Sequence, residues 1–448
     1  MNPEFRRNLW LEFTAARVVT LCGTLGALFV LAGLFDSHGL AGMVSIVALG
    51  AFIAVTVAWG GHLAGESVLD ELRERTWDQQ RMSALGPWSM TWGKLCGATS
   101  VAWMGGGLCL VVYLAGSRAP ADPDHGLVAA TCIAGAVFVQ GLSLLGALTV
   151  ARRAKRVKSV FGSRIAAAVL ALGWAYLASV ARGGDEIRWY GAAWSRLPFT
   201  VATLGMLAAW AVFGAYRMMC EELQVPTRPW GWLAFILYAT GFAGGFVADR
   251  LDDPLRTLRI LAGMGTIAAC AGGYLAAFTL FRDPLVFRRF ATYWRSGERR
   301  RAMEEIPVWA VSLVLGGLFA ALASLLSLDA PLTVTRLESL GPTTLALWLF
   351  TLRDLCLLLT CSYGARPERA EVSTLVYLAL LYWLVPAILK ALGFARLSWL
   401  VLPPLFAAPY GAALVIAAQV AITASFLRAR HVRQVAPRPC PQPPGATP

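Results

Sequence analysis

The feature that most constrains this chain is a succession of apolar runs, each close to the length of a bilayer crossing. A helix rises about 1.5 Å per residue, so a ~30 Å hydrocarbon core takes about 20 apolar residues. Twelve such runs lie at Val18–Phe35, Leu40–Gly61, Leu95–Gly116, Gly126–Ala151, Ile165–Ala181, Phe199–Tyr216, Trp230–Ala248, Thr257–Phe281, Val308–Leu328, Thr343–Tyr363, Val372–Leu392 and Gly411–Leu427. Turn-forming segments punctuate them, among them Ala119–Asp124, Asp252-Asp253-Pro254 and Leu340-Gly341-Pro342. Pro386 falls inside a run and predicts a kink, because neighbouring helices can satisfy the carbonyl it frees. Composition agrees: 57% of residues are hydrophobic and 15% charged, with a mean hydropathy of +0.60. Soluble domains carry about 25% charged residues, and disordered chains combine low hydrophobicity with dense charge. The expected fold class is therefore an all-α polytopic integral membrane protein with about 12 transmembrane helices.

The charges orient it. Arginine and lysine concentrate in alternate connections: Arg6, Arg7 and Arg17; Arg73, Arg75, Arg81 and Lys94; Arg152 to Arg164; Arg282 to Arg301; and Arg428 to Arg438. The positive-inside rule then predicts both termini in the cytoplasm. It also accounts for the net charge of +13 without nucleic acid, since the basic residues sit beside apolar spans and meet anionic headgroups. The first run begins after Arg17 with no small-residue cleavage site behind it, and reads as a retained span.

Catalytic chemistry finds little support. The nine cysteines form no C-x-x-C and fall mostly within spans, as small buried hydrophobes do. The four histidines are scattered over different connections. A P-loop needs Gly-Lys-Ser/Thr after an earlier glycine. Of four lysines only Lys94 follows a glycine; Trp88 stands where the first glycine belongs and Leu95 follows. No ATP site of this type is expected, no cofactor or metal is expected on the chain, and enzymatic activity of the chain alone is not expected.

The most informative connection is Glu66–Lys94, after the second run. Val68, Leu69 and Leu72, and further on Met82 and Leu85, recur at three- and four-residue spacings among charges of both signs. Glu71 and Arg75 stand at i,i+4, as do Glu74 and Asp78; the first pair favours a helix and the second opposes it. The pattern predicts an amphipathic helix at the cytoplasmic face, ended by Gly86-Pro87. A solvated helical connector would show the same pattern. A second amphipathic helix is expected at the N-terminus, with Phe5, Leu9 and Phe13 on one stripe.

The acidic stretch before Arg75-Thr76-Trp77-Asp78, then Arg81, Leu85, Pro87, Met90 and Gly93-Lys94-Leu95, resembles the signature of the ABC type-2 permeases. Trp77 stands beside Thr76 where that family more often shows a Gly-Thr pair. The resemblance is strongest over residues 1–217, a six-span layout with an insertion, Gly183–Pro198, before the sixth span. The insertion resembles the family's short outer-leaflet helices, although an interfacial aromatic loop would read alike. What the resemblance implies is a permease subunit of an ATP-driven exporter in a bacterial inner membrane. A separate ABC ATPase would use the ATP and dock on a coupling loop containing Glu71, Arg73, Glu74, Arg75, Thr76, Asp78, Arg81 and Lys94. A second permease copy is a further partner it allows.

The remainder, 218–436, reads as a second six-span half, with a proline-rich tail at 437–448. Its loop Arg282–Pro307 takes the position of Glu66–Lys94 but lacks the signature; instead Pro284 to Arg289 with Trp294 echoes Pro3 to Arg7 with Trp10. Leu397–Tyr410, with three prolines, reads as a re-entrant or interfacial stretch. Arg353 and Asp354 fall near the middle of the tenth run. A charge there costs ~2.5–3.5 kcal/mol on insertion scales, so each should face protein or water. Adjacent residues point about 100° apart on a helix, which predicts separate neighbours: a backbone carbonyl for Arg353, a serine or tyrosine hydroxyl for Asp354. An alternative to the permease is a self-sufficient 12-span secondary transporter, and a membrane scaffold remains a third class.

Overall fold

The computed structural model describes residues 2–37, 42–116, 123–154, 186–248, 253–280, 284–327, 340–364, 369–394, 397, 401 and 410–435. The expected span Ile165–Ala181, the basic residues Lys155 to Arg164 and the tail 437–448 lie outside them, as does Leu397–Tyr410 apart from residues 397, 401 and 410. Two compact units emerge, Met1–Arg188 with Ala193–Thr227, and Trp189–Ala192 with Arg228–Pro448. Ten described helices are long and apolar enough to cross a bilayer, or eleven if one bent pair is a single broken span. The architecture is that of an all-α, multi-pass membrane protein.

In the first unit, α1 (Pro3–Glu12) begins at an Asn2 cap whose side-chain oxygen accepts from the Glu4 and Phe5 amides, with Pro3 at the first helical position. Its buried residues are Glu4 and Asn8, while Trp10, Leu11 and Phe13 are exposed. Of the expected stripe, Phe5 and Leu9 are half-buried and Phe13 is exposed. This helix turns Glu4 and Asn8 into the protein and exposes Arg6 and Arg7 beside Trp10, Leu11 and Phe13, a mixture that suits a helix lying at a lipid surface. Glu12 pairs with Arg17 of α2 (Ala15–Ser37). Burial pushes the Glu12 carboxyl up, against the opposing pull of Arg17.

α3 (Met43–Phe52) continues through a π segment, Ile53–Trp59, into α4 (Gly60–Arg73), forming one span-length helix. A π turn disturbs the regular ladder and opens carbonyls to other donors. Here Gln140 Nε2 donates to Thr56 O at 2.8 Å, while Gln140 Oε1 accepts from Trp103 Nε1 at 2.9 Å. Then follow α5 (Trp77–Arg81), α6 (Pro87–Gly97) and α7 (Ser100–Ala115), the last two bent by 50°. Gly86-Pro87 therefore opens a helix rather than closing one, since proline at the first position loses no helical bond. The expected interfacial helix over the Glu66–Lys94 loop is instead the end of α4 followed by a short α5. α8 (Pro123–Ala154) lies against α9 (Arg196–Glu222), where a Cβ on Gly141 would come within 3.1 Å of Ala211 Cβ. Small residues at such a crossing let backbones approach closely. The expected limit at residue 217 falls inside α9, which runs on to Glu222.

The described part of the insertion is a β-hairpin, β1 (Glu186–Trp189) and β2 (Ala192–Ser195), rather than short helices. Tyr190 and Gly191 turn it with φ of 50° and 73°, the paired positive angles of a tight hairpin turn.

The second unit starts with α10 (Trp230–Val247), to which the hairpin turn is fastened. Tyr190 donates its amide to Gly245 O and its hydroxyl to Gly241 O, each at 2.8 Å, and Trp189 Nε1 donates to Phe242 O at 3.1 Å. Burial pushes the Tyr190 phenol up, so it stays a donor. α11 (Pro254–Thr279) is capped by Asp253, whose side chain accepts from Leu255 and Arg256. Next come α12 (Val286–Arg295), α13 (Arg299–Glu305), α14 (Val308–Leu325) and α15 (Leu340–Ser362). α16 (Ala370–Ala379) passes through a π segment, Leu380–Leu384, into α17 (Val385–Ala391), and α18 (Tyr410–Val435) ends the described chain. A π turn ahead of Pro386 accommodates the missing N–H that was expected to kink the span. The core of this unit gathers Ala276 and Ala277 of α11, Trp309 of α14, and Leu355, Leu358 and Leu359 of α15.

Candidate functional site

Two buried charge centres stand out, one in each unit. In the first, α4 ends in a two-bond C-cap. Arg75 N donates to Leu72 O and Thr76 N to Glu71 O, and Arg75 takes φ 60°, the left-handed position that glycine favours. The cap reverses the chain so that Trp77 is buried beneath the turn.

Under it lies Lys94, with no exposed surface, in α6. Its Nζ sits 2.6 Å from Glu71 Oε2 and 3.3 Å from Glu4 Oε1, donates to Ser67 O at 3.1 Å, and lies 5.5 Å from the Trp77 ring centre. Glu71 Oε1 also accepts from Arg7 Nη2 at 3.0 Å and from Gln80. Glu4 accepts from Asn8 at 3.1 Å and pairs with Arg7 at 3.3 Å. Two carboxylates thus meet two cations in a network that ties α1, α4 and α6 together. Only glycine at 93 and 97 lets α1 lie so close, because a Cβ there would approach Glu4 Cβ at 2.6 Å and Asn8 Cβ at 2.8 Å.

Of the sequence-predicted coupling residues, Glu71 and Lys94 are therefore interior and present no surface to a partner. This corrects their expected place on the docking face: a buried ammonium needs carboxylates around it, and α4 and α6 supply the geometry. Arg81 is also committed. Its Nε donates to Glu222 O at 2.9 Å, bracing the carboxyl end of α9, where a cation is favoured. Thr76 is half-buried and its hydroxyl donates to Glu71 O. Arg73 is exposed yet paired with Glu66 and Asp70. Glu71 does not reach Arg75, because the helix ends between them. Glu74, Arg75 and Asp78 remain on the surface, joined by Met82, whose side chain is 80% exposed. The sequence reading missed Glu4, Arg7 and Asn8 as partners of this centre, because on a helix that also carries Arg6 and Glu12 nothing local sets them apart.

In the second unit, Arg353 and Asp354 of α15 are each 2% exposed. They pair directly, Arg353 Nε and Nη2 donating to Asp354 Oδ1 at 3.0 and 2.9 Å. The expectation of separate neighbours is corrected here, because the long arginine arm folds back across the angle between successive residues. Arg353 also donates to Gln419 Oε1 of α18 at 2.8 Å and to the Tyr382 hydroxyl at 2.7 Å, not to a backbone carbonyl. Asp354 Oδ2 accepts from the Tyr274 hydroxyl at 2.7 Å and from Tyr382, so the expected tyrosine partner is found. Tyr382 belongs to the π segment. Four elements thus converge on one ion pair.

Neither centre has a metal-binding donor set: among the described residues no group of three or more His, Cys, Asp or Glu side chains is placed to hold an ion. The eight cysteines among the described residues are free thiols. No protein-family model, curated protein or solved structure matches the chain.

Proposed function

We propose that this chain is the membrane-spanning permease subunit of an ATP-driven exporter of the ABC type-2 kind, energised by a separate ATPase that docks on the turn after α4. One observation carries the reading: the exposed strip Glu74, Arg75, Asp78 and Met82 stands on a buried lattice of Glu71, Lys94 and Glu4, joined at its rim by the exposed Arg7. Mixed charges around an apolar anchor suit a protein partner. A push on that turn passes through Trp77 and Lys94 to α1 and α6 rather than dissipating in a loose loop. The resemblance of Arg75 to Leu95 to the permease signature supports the same assignment. The proposed setting is a bacterial inner membrane, with both termini in the cytoplasm and ATP bound only by the partner.

The test is co-purification from native membranes of full-length protein carrying Glu74→Arg, Arg75→Glu and Asp78→Arg. The expected result is recovery of an ATPase with the parent chain and its loss from the variant, with membrane insertion unchanged. Nucleotide turnover by the chain purified alone, or undiminished ATPase recovery with the variant, would overturn the reading.

A second reading, a 12-span secondary transporter, rests on Asp354, a carboxylate held by two tyrosine hydroxyls inside a span. Carboxylates in such positions mark proton relays. Transport in ATP-free vesicles driven by a proton gradient alone would favour it over the first.

A further inference from the structure

Between α11 and α14 the second unit carries a helix, α12, that the described chain covers only in part. No residue of α12 is buried. On a helical projection Val286, Phe287, Phe290, Tyr293 and Trp294 share one arc, and Arg288, Arg289, Thr292 and Arg295 the other. Phe287 and Trp294 are exposed. The aromatic arc is nonetheless ordered: Phe290 stacks on Trp294 and Phe287 meets Trp309 edge to face, both with ring centres 5.8 Å apart. Trp309 lies in the first turn of α14, a span-length helix. The arc therefore begins where a span begins, at the depth where aromatic side chains sit in a bilayer interface.

The charge on this segment is one-sided. Glu305, Glu304 and Glu298 pair with Arg289, Arg300 and Arg301. Arg288, Arg295 and Arg299 are exposed and form no ion pair among the described residues. A protein partner would meet mixed charge, as on the turn after α4; a surface of unpaired guanidinium groups beside an aromatic arc fits an anionic leaflet.

We propose that α12 is an in-plane helix and that anionic phospholipid headgroups bind to its Arg288 and Arg295 and to Arg299 at the start of α13, with Phe290 and Trp294 set among the acyl chains. The inference stands independently of any ATPase.

The test uses the full-length protein in nanodiscs of phosphatidylcholine alone and of phosphatidylcholine with an equal part of phosphatidylglycerol, read by amide hydrogen exchange over residues 286–301. Exchange is expected to be about tenfold slower with phosphatidylglycerol, since each basic residue near an anionic surface contributes to holding the helix down. Raising the salt concentration should shrink that difference. Arg288→Gln, Arg295→Gln and Arg299→Gln together should abolish it while α15 exchanges as before; Trp294→Ser should speed exchange in both lipids. Equal exchange of the parent protein in the two lipids would overturn the proposal. So would a slowing that is insensitive to salt, one that persists in the triple variant, or one that requires an added protein rather than phosphatidylglycerol.

Discussion

Lys94 shows what a single residue decides in this protein. Its ammonium has no exposed surface and is met by Glu71 and Glu4. Removing one member of a buried ion pair leaves a bare charge and costs about 3–5 kcal/mol, whereas replacing both members costs far less. Lys94→Met should accordingly lower the thermal unfolding midpoint of the detergent-purified chain more than Lys94→Met with Glu71→Gln. An equal loss in both would show that the carboxylate is held by Arg7 and Gln80 alone. Arg75 makes the opposite point. A non-glycine residue in the left-handed region costs about 1–2 kcal/mol, and Arg75 sits there at φ 60°. Arg75→Gly should raise the midpoint and Arg75→Val should lower it, with membrane insertion unchanged in both.

At the scale of elements, the sequence was legible where one physical rule dominated. Apolar runs located the spans because burial in lipid tolerates little else, and Asp252-Asp253-Pro254 marked a break between two of them, where the structure starts α11. It was illegible where a partner lies far along the chain. Nothing near Glu4 announces Lys94, and nothing near Asp354 announces Tyr274, Tyr382 or Gln419. The buried face of α1 was not legible either, because amphipathicity fixes the two faces and not which of them looks inward. The π segments escaped as well, since their cause is the fit to neighbouring helices. Gln140 is the test of that fit: it answers both Thr56 O and Trp103 Nε1. Gln140→Leu strands a carbonyl and an indole N–H, each costing about 1–3 kcal/mol when buried. The expected outcome is a lowered unfolding midpoint, with faster hydrogen exchange across Ile53–Trp59 than in α9. Unaltered exchange there would mean that the π segment holds itself.

For the whole molecule, charge distribution predicts an orientation that labelling can check. Ser83 and Ala192 are both exposed and belong to connections expected on opposite sides of the membrane. Introduced singly in a cysteine-free background, Ser83→Cys should react with an impermeant maleimide only from the cytoplasmic side and Ala192→Cys only from outside. Reaction of both from one side would overturn this topology, and the exchanged pattern would reverse it. The Arg353–Asp354 centre belongs to this scale too, because it joins α11, α15, α18 and the π segment around Tyr382. Asp354→Asn should destabilise the protein strongly, while Arg353→Leu with Asp354→Leu should recover part of the loss, by the same reasoning as for any buried pair.

The network around Lys94 also sets an order on synthesis. Glu4 and Glu71 emerge from the ribosome before α6 does, so until α6 arrives α1 has no ammonium to close upon. A chain interrupted short of that helix leaves two carboxylates sharing Arg7 as their one cation, and a protease that recognises loose N-terminal helices would find in that gap the difference between an unfinished protein and a completed one.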